Sequence, residues 1–559
     1  MMYSPDKKNL ADNQPYKIYE FKKHNQDKIP GYLVVSTAKL NVETEENNSN
    51  SYLSEVAHPN FFTINDEKAE PSAKDMIEKI AQSLQSSPEP EIIINIHGYS
   101  STPSDTETGC QKIYEYINTH IQQPNKYIFI GYRWPSENPL KTDESGSFKQ
   151  KLINALYSLP TLLTINLVLG ITISIWSAIV LLFLDILSNS AVHFFTALLI
   201  LFGFISSIIF TLIILRLVTY FRDGYRASNY GVTDLVELIR QLDSTVKLAS
   251  AKRIKLSFIS HSMGCFVVTN VIRILSDVFD VKSINKNPNS NIGNVFSLGR
   301  LVLVAPDIPV ETILPGRANF LRSSLRRCEE AYIFCNEGDL ALRITSTAAN
   351  YFSFPAQTRI SGYRLGNITV KHFNNRNDTV GHKPRYGVVN LHQQNYEKDY
   401  TLDNPYKYLE IRSSNSEHRR LEEITKISEN EVQPADLFTY FDCTDYKDDR
   451  NEQIGIVSSA IQKPAINFGN YILLTLKFIR KAINNRDPQG VDTHTGYFGG
   501  SFTQKAIYEL AFLGFQGFLK SLSIEGEEEA QIRAFSQKCQ EKQIQVILAP
   551  QIYQQKTQD

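Results

Sequence analysis

At 559 residues the chain is far longer than one average domain, so it can bury a large core and carry insertions or several domains. A formal net charge of −1 leaves no basic footprint, which excludes nucleic acid as an expected partner. Six cysteines, Cys110, Cys265, Cys328, Cys335, Cys443 and Cys539, lack paired spacing, so neither a disulfide framework nor a zinc site is expected.

The opening "MMYSPDKKNLADNQ" has no apolar stretch after its charges, and no signal peptide is expected there. "GYLVVS" (31–36) and "FFTI" (61–64) predict strands, and "SAKDMIEKIAQSL" between them and the next strand has helical spacing. "EIIINIHGYS" and "YIFIGYRWPS" are apolar runs read as strands, joined by a helix over "GCQKIYEYINTHI". From Leu159 to Leu184, and again from Phe194 to Leu215, there is no charged residue. Each run exceeds the roughly 20 residues that cross a bilayer as a helix. Both are apolar all round, which argues against two core helices and predicts a transmembrane hairpin over 156–218. Lys149 and Lys151 precede it, Arg216, Arg222 and Arg226 follow it, and the link "DILSNSAVH" has no Lys or Arg. By the positive-inside tendency the outer flanks, and the globular domain with them, face the cytoplasm. The expected localisation is a membrane, with two spans.

After the hairpin, "YGVTDLVELIRQL" has the spacing of an amphipathic helix, and "LSFISHSMGCFVVTN" (256–270) reads as strand, sharp turn and helix. Ser262 lies at the apex of that turn, where a strained backbone would expose its hydroxyl above the sheet. Gly264 supplies one of the two small residues such a turn needs, while Ser260 stands where the Gly-x-Ser-x-Gly pattern has its first glycine. A polar loop after a core strand is the plainer alternative. "GRLVLVAPD" and "EEAYIFCNEGD" predict further apolar strands with a helix between them. Residues 371–436 are polar, show no clear period, and read as a surface insertion. "NYILLTLKFIRKAI" (470–483) puts Ile472, Leu476, Ile479 and Ile483 on one helical stripe, with Lys477, Arg480 and Lys481 elsewhere. Such a basic amphipathic helix suits an anionic membrane surface, a lid, or packing on a sheet. Continuously apolar strands alternating with helices predict an α/β fold, a doubly wound, mostly parallel sheet. Its parts would be 1–150, 225–370 and 437–559, interrupted by the hairpin and the polar insertion.

A serine hydroxyl is a weak nucleophile until a base takes its proton and a third group orients the base. "CNEGDLALRITS" puts Asp339 just past a strand, and "GVDTHTGYFGGSF" puts His494 in a glycine-rich loop before a helix. Serine, acid and histidine thus follow the order Ser262, Asp339, His494. Oxyanion donors are expected from the amides of Tyr99, after the His-Gly step of "NIHGYSS", and of Met263. His97 is then structural; as metal ligands, His97 and His261 lack further partners at ligand spacing. Neither a metal nor a cofactor is expected.

Taken together, "IIINIHGYSS", "GYRWPS", "SHSMG", "LVLVAPD", "NEGDLAL", "GYRLGN" and "DTHTGYF" resemble the uncharacterised bacterial α/β-hydrolase family of the esterase and lipase superfamily. The likeness spans residues 92–136, 225–367 and 440–499. It implies an α/β-hydrolase fold and a serine triad at Ser262, Asp339 and His494. It also raises Asp307, in "VAPDIP", as the alternative acid. Three departures stand out: Ser260 for glycine, the inserted hairpin, and a long stretch between "LFTYFDCTD" and His494. The expected activity is a membrane-anchored serine hydrolase that cleaves a small ester or a lipid through an acyl-enzyme. The alternatives are an inactive hydrolase-fold membrane scaffold and an amide or thioester hydrolase with the same triad.

Overall fold

The computed structural model describes most of residues 14–38, 56–63, 72–136, 214–247, 253–276, 291–313, 319–342, 364–373, 437–447 and 491–549, with short strands inside 389–420 and a few isolated helical positions. The first strands are β1 (Tyr16–Glu20), β2 (Gly31–Ser36), β3 (Glu91–Ile96), β4 (Tyr127–Arg133) and β5 (Ile254–His261). They are followed by β6 (Asn291–Ile292), β7 (Phe296–Val304), β8 (Glu330–Cys335), β9 (Val370–Phe373) and β10 (Val389–His392). The last are β11 (Leu409–Arg412), β12 (His418–Arg420), β13 (Thr439–Asp442) and β14 (Gln545–Ile547). One ten-stranded sheet has the order β1-β2-β4-β3-β5-β7-β8-β13-β14, with β6 beside β7. From β2 to β13 the neighbours along this path are parallel; β1 and β14 close the two edges antiparallel.

Successive side chains of each central strand enter opposite layers, because a strand has a period of two. Ile92, Ile94 and Ile96 of β3 join one core cluster, and Ile93 joins the other. The first layer holds helices α1 (Ala73–Gln85), α3 (Val232–Thr245), α4 (Met263–Leu275) and α5 (Asn319–Arg327) through residues such as Ile80, Leu238, Val268 and Leu325. The second holds α2 (Pro103–His120), α6 (Ser501–Ser521) and α7 (Glu528–Glu541) through Ile117, Leu510 and Phe535. This is the doubly wound, mostly parallel sheet that the apolar strands predict. Helix starts follow local chemistry. Ser72 and Asp75 form a capping box at α1, and the Thr102 hydroxyl accepts from the Asp105 N–H with Pro103 opening α2.

Some expectations differ from the structure. Of "FFTI", residues 61–63 do not form a strand, and Ile64 lies outside the described residues: Pro59 opens a 3-10 turn that runs to Phe61, and Phe62 makes a single bridge to Phe21. Proline at a first helical position favours that turn. Within 371–436 the chain forms short strands, and β9 to β12 make a second, four-stranded sheet in the order β12-β11-β10-β9. The expected spans lie outside the described residues, apart from isolated helical positions at Ile175, Gly203, Ile214 and Leu215. Among the described residues no helix is long and apolar enough to cross a membrane. Of the 470–483 stripe, Leu476 is described and is exposed, whereas Leu474, off the stripe, is buried.

Candidate active site

β5 and α4 meet at Ser262, whose backbone angles are φ 55° and ψ −123°. A non-glycine residue takes positive φ only where its surroundings over-determine it. Here the Ser262 N–H donates to the Val304 carbonyl at 3.0 Å, and the Ser262 carbonyl accepts from the N–H groups of Cys265 at 3.0 Å and Asp307 at 3.1 Å. Gly264 makes the close packing possible: a Cβ there would lie 2.4 Å from the His97 carbonyl oxygen. Ser260 fits in place of a glycine because its buried hydroxyl donates to the Cys265 thiol at 3.2 Å.

The acid and base come from the far side of β5. Past β8, the Asn336 side chain accepts from the Gly338 N–H at 2.9 Å, and this turn brings up Asp339, which is fully buried. One Asp339 oxygen accepts from the Leu342 N–H at 3.0 Å, and the other accepts from His494 Nδ1 at 2.7 Å. The Ser262 hydroxyl reaches His494 Nε2 at 2.9 Å. Asp307 instead faces Arg364, with 3.2 Å between Oδ1 and Nε, and makes no hydrogen bond to His494. The histidine loop is fastened on three sides. Asn336 Nδ2 donates to the Thr493 carbonyl at 3.0 Å, His261 Nε2 to the His494 carbonyl at 3.0 Å, and the His494 N–H to Asp492 at 3.0 Å.

Burial works against the charged form of His494, but the charge and hydrogen bond of Asp339, together with the charges of Asp492 and Asp307, outweigh it and hold the imidazole above its ordinary pKa. Burial raises Asp339 as well, and His494 pulls it part of the way back. His261 is driven down to about 3, by burial first and then by His494 beside it, so it stays neutral. It can hold the loop without competing for the Ser262 proton.

On the other flank, His97 stacks on Trp134 with ring centroids 5.1 Å apart, and the Trp134 indole N–H donates to the His97 carbonyl at 2.9 Å. Burial lowers the His97 pKa to about 4, which leaves it neutral. These contacts fix the turn that leads to Tyr99. The Met263 amide opens α4 and so has no acceptor within its helix. Neither amide donates to another group among the described residues, and none of those residues form a metal-holding cluster.

Sequence reasoning missed Asn336, Thr493, His261 as a clamp, Arg364, and the buried Asp223 described below. Asn336 carried a signal, since Asn-x-Gly-Asp after a strand is turn chemistry. The others act across the chain and left none.

A mostly parallel sheet in this strand order, with a serine on the strand-to-helix turn at its centre, defines an α/β-hydrolase fold. A family model described as alpha/beta hydrolase of unknown function (DUF900) matches residues 214–410. The chain is similar to that family over the serine turn and Asp339, while Tyr99 and His494 lie outside the match. No curated protein matches the chain, and no solved structure does.

Proposed function

We propose that the chain is a serine hydrolase that cleaves carboxylic esters, including membrane lipids, through an acyl-enzyme at Ser262. The observation that carries this reading is the contact sequence from Ser262 to His494 at 2.9 Å and from His494 to Asp339 at 2.7 Å. His494 Nε2 takes the hydroxyl proton as the serine oxygen bonds to the ester carbonyl carbon, and Asp339 orients the imidazole and stabilises its positive charge. The carbonyl oxygen, now negative, is met by the Tyr99 and Met263 amides. The tetrahedral species collapses, the alcohol leaves with the proton from His494, and the acyl group stays on Ser262. Water then repeats the steps with the same base and releases the acid.

The runs Leu159–Leu184 and Phe194–Leu215 supply a two-span anchor in this reading, with the hydrolase domain on the cytoplasmic face. The test is hydrolysis of short p-nitrophenyl esters. Ser262→Ala should abolish it and leave the circular dichroism spectrum unchanged, and retained turnover would count against the assignment.

A further inference from the structure

Residues 217–226 are helical and directly follow the run Phe194–Leu215. On this helix Asp223 is fully buried. Its Oδ2 accepts from the Ser100 N–H at 2.8 Å and from the Ser136 hydroxyl at 2.8 Å. The Ser136 oxygen in turn accepts from the Ser101 N–H at 3.1 Å. Arg222 Nε and Arg226 Nη1 each stand 3.6 Å from the other Asp223 oxygen. Ser100 has a φ of 55°, so the loop after Tyr99 is strained and must be held by its surroundings. One turn earlier on the helix, Tyr220 sets its ring edge-on to Tyr99 at 5.6 Å. Its hydroxyl accepts from Arg364 Nη2 at 3.3 Å, and Arg364 faces Asp307.

We propose that Asp223 is a positioning residue: by fixing the backbone of Ser100 and, through Ser136, of Ser101, it aims the Tyr99 amide at the developing oxyanion. This deepens the serine-hydrolase reading and rests on it. It also makes the helix next to the candidate anchor part of the catalytic apparatus. A carboxylate suits the task, because two hydrogen bonds to one charged oxygen are stronger than bonds to a neutral acceptor.

The experiment compares wild type, Asp223→Ala, Asp223→Asn and Ser136→Ala as full chains. For each it measures kcat and KM on a p-nitrophenyl ester, the rate of Ser262 phosphonylation, and a thermal melt. Loss of an aimed oxyanion donor lowers kcat by about 10²-fold. Asp223→Ala should show that loss with KM changed by less than about threefold, as expected when only transition-state binding suffers. Asp223→Asn keeps an oxygen facing Ser100 and should regain about tenfold of it. Ser136→Ala should shift kcat in the same direction by less, and it decides the matter if Asp223→Ala does not fold. An unchanged kcat in folded Asp223→Ala, or in Ser136→Ala where that variant decides, overturns the proposal and leaves the triad standing. A wild type that is never labelled at Ser262 overturns the triad reading first, and this proposal with it.

Discussion

As the general base of the proposed mechanism, His494 should set the pH dependence. Burial lowers its pKa, but Asp339, joined by the charges of Asp492 and Asp307, holds it above the ordinary 6.5. A general base must be neutral, so kcat/KM should be low below the folded pKa, rise through it, and level off above. The acid limb is therefore expected above 6.5. Asp339→Asn removes the largest of the charges that raise the pKa, so the limb should move to lower pH. The plateau should fall by about 10²–10⁴-fold, because the imidazole loses its orientation as well. A pH–rate profile checks both shifts, and a limb that moves upward would contradict this account. The grouping of Ser262, Asp339 and His494 was legible in the sequence because the first two sit in short motifs at strand ends and the third in a glycine-rich loop just before a helix. Asp223 was not, since its partners Ser100 and Ser136 are 123 and 87 positions away and no local pattern marks such a pairing.

At the scale of elements, the strand-turn-helix of β5 and α4 depends on close approach to the chain after β3. Gly264→Ala would push a methyl group to 2.4 Å from the His97 carbonyl oxygen and 2.6 Å from that of Ile96. Both are backbone atoms and cannot swing aside, so the loss should reach the upper part of the roughly 1–3 kcal/mol usual for overpacking. Ser260→Gly, which restores the more usual pattern, should change stability by only about 1 kcal/mol. Denaturant melts of both variants test the contrast; equal effects would mean that the turn is looser than described. Helices and central strands were readable because their apolar periods are long. The strands within 371–436 span only three or four residues each, too few for a period of two to register. β1 (Tyr16–Glu20), at the sheet edge, was missed as well.

For the whole molecule, the parallel sheet was foreseeable from continuous apolar strands, while the seating of the chain around the candidate hairpin was not. Leu215 and Thr219 are buried, and the helix they lead into carries Tyr220 and Asp223. An anchor deletion should therefore replace 156–213 and spare that helix. With a flexible linker in their place, the protein should stay in solution without detergent and hydrolyse dispersed short esters at an undiminished rate. Activity on bilayer lipids should fall, because in the proposed reading these runs are a tether that supplies proximity rather than chemistry. A deleted chain that cannot fold would identify the two runs as core. The central claim is that Ser262 is an activated nucleophile, and the most direct test is fluorophosphonate treatment of the detergent-solubilised full chain with the adduct mapped by peptide mass spectrometry. One adduct on the peptide containing Ser262, absent from Ser262→Ala and greatly slowed in His494→Ala, is the predicted result; no adduct, or one on Ser260, would contradict it.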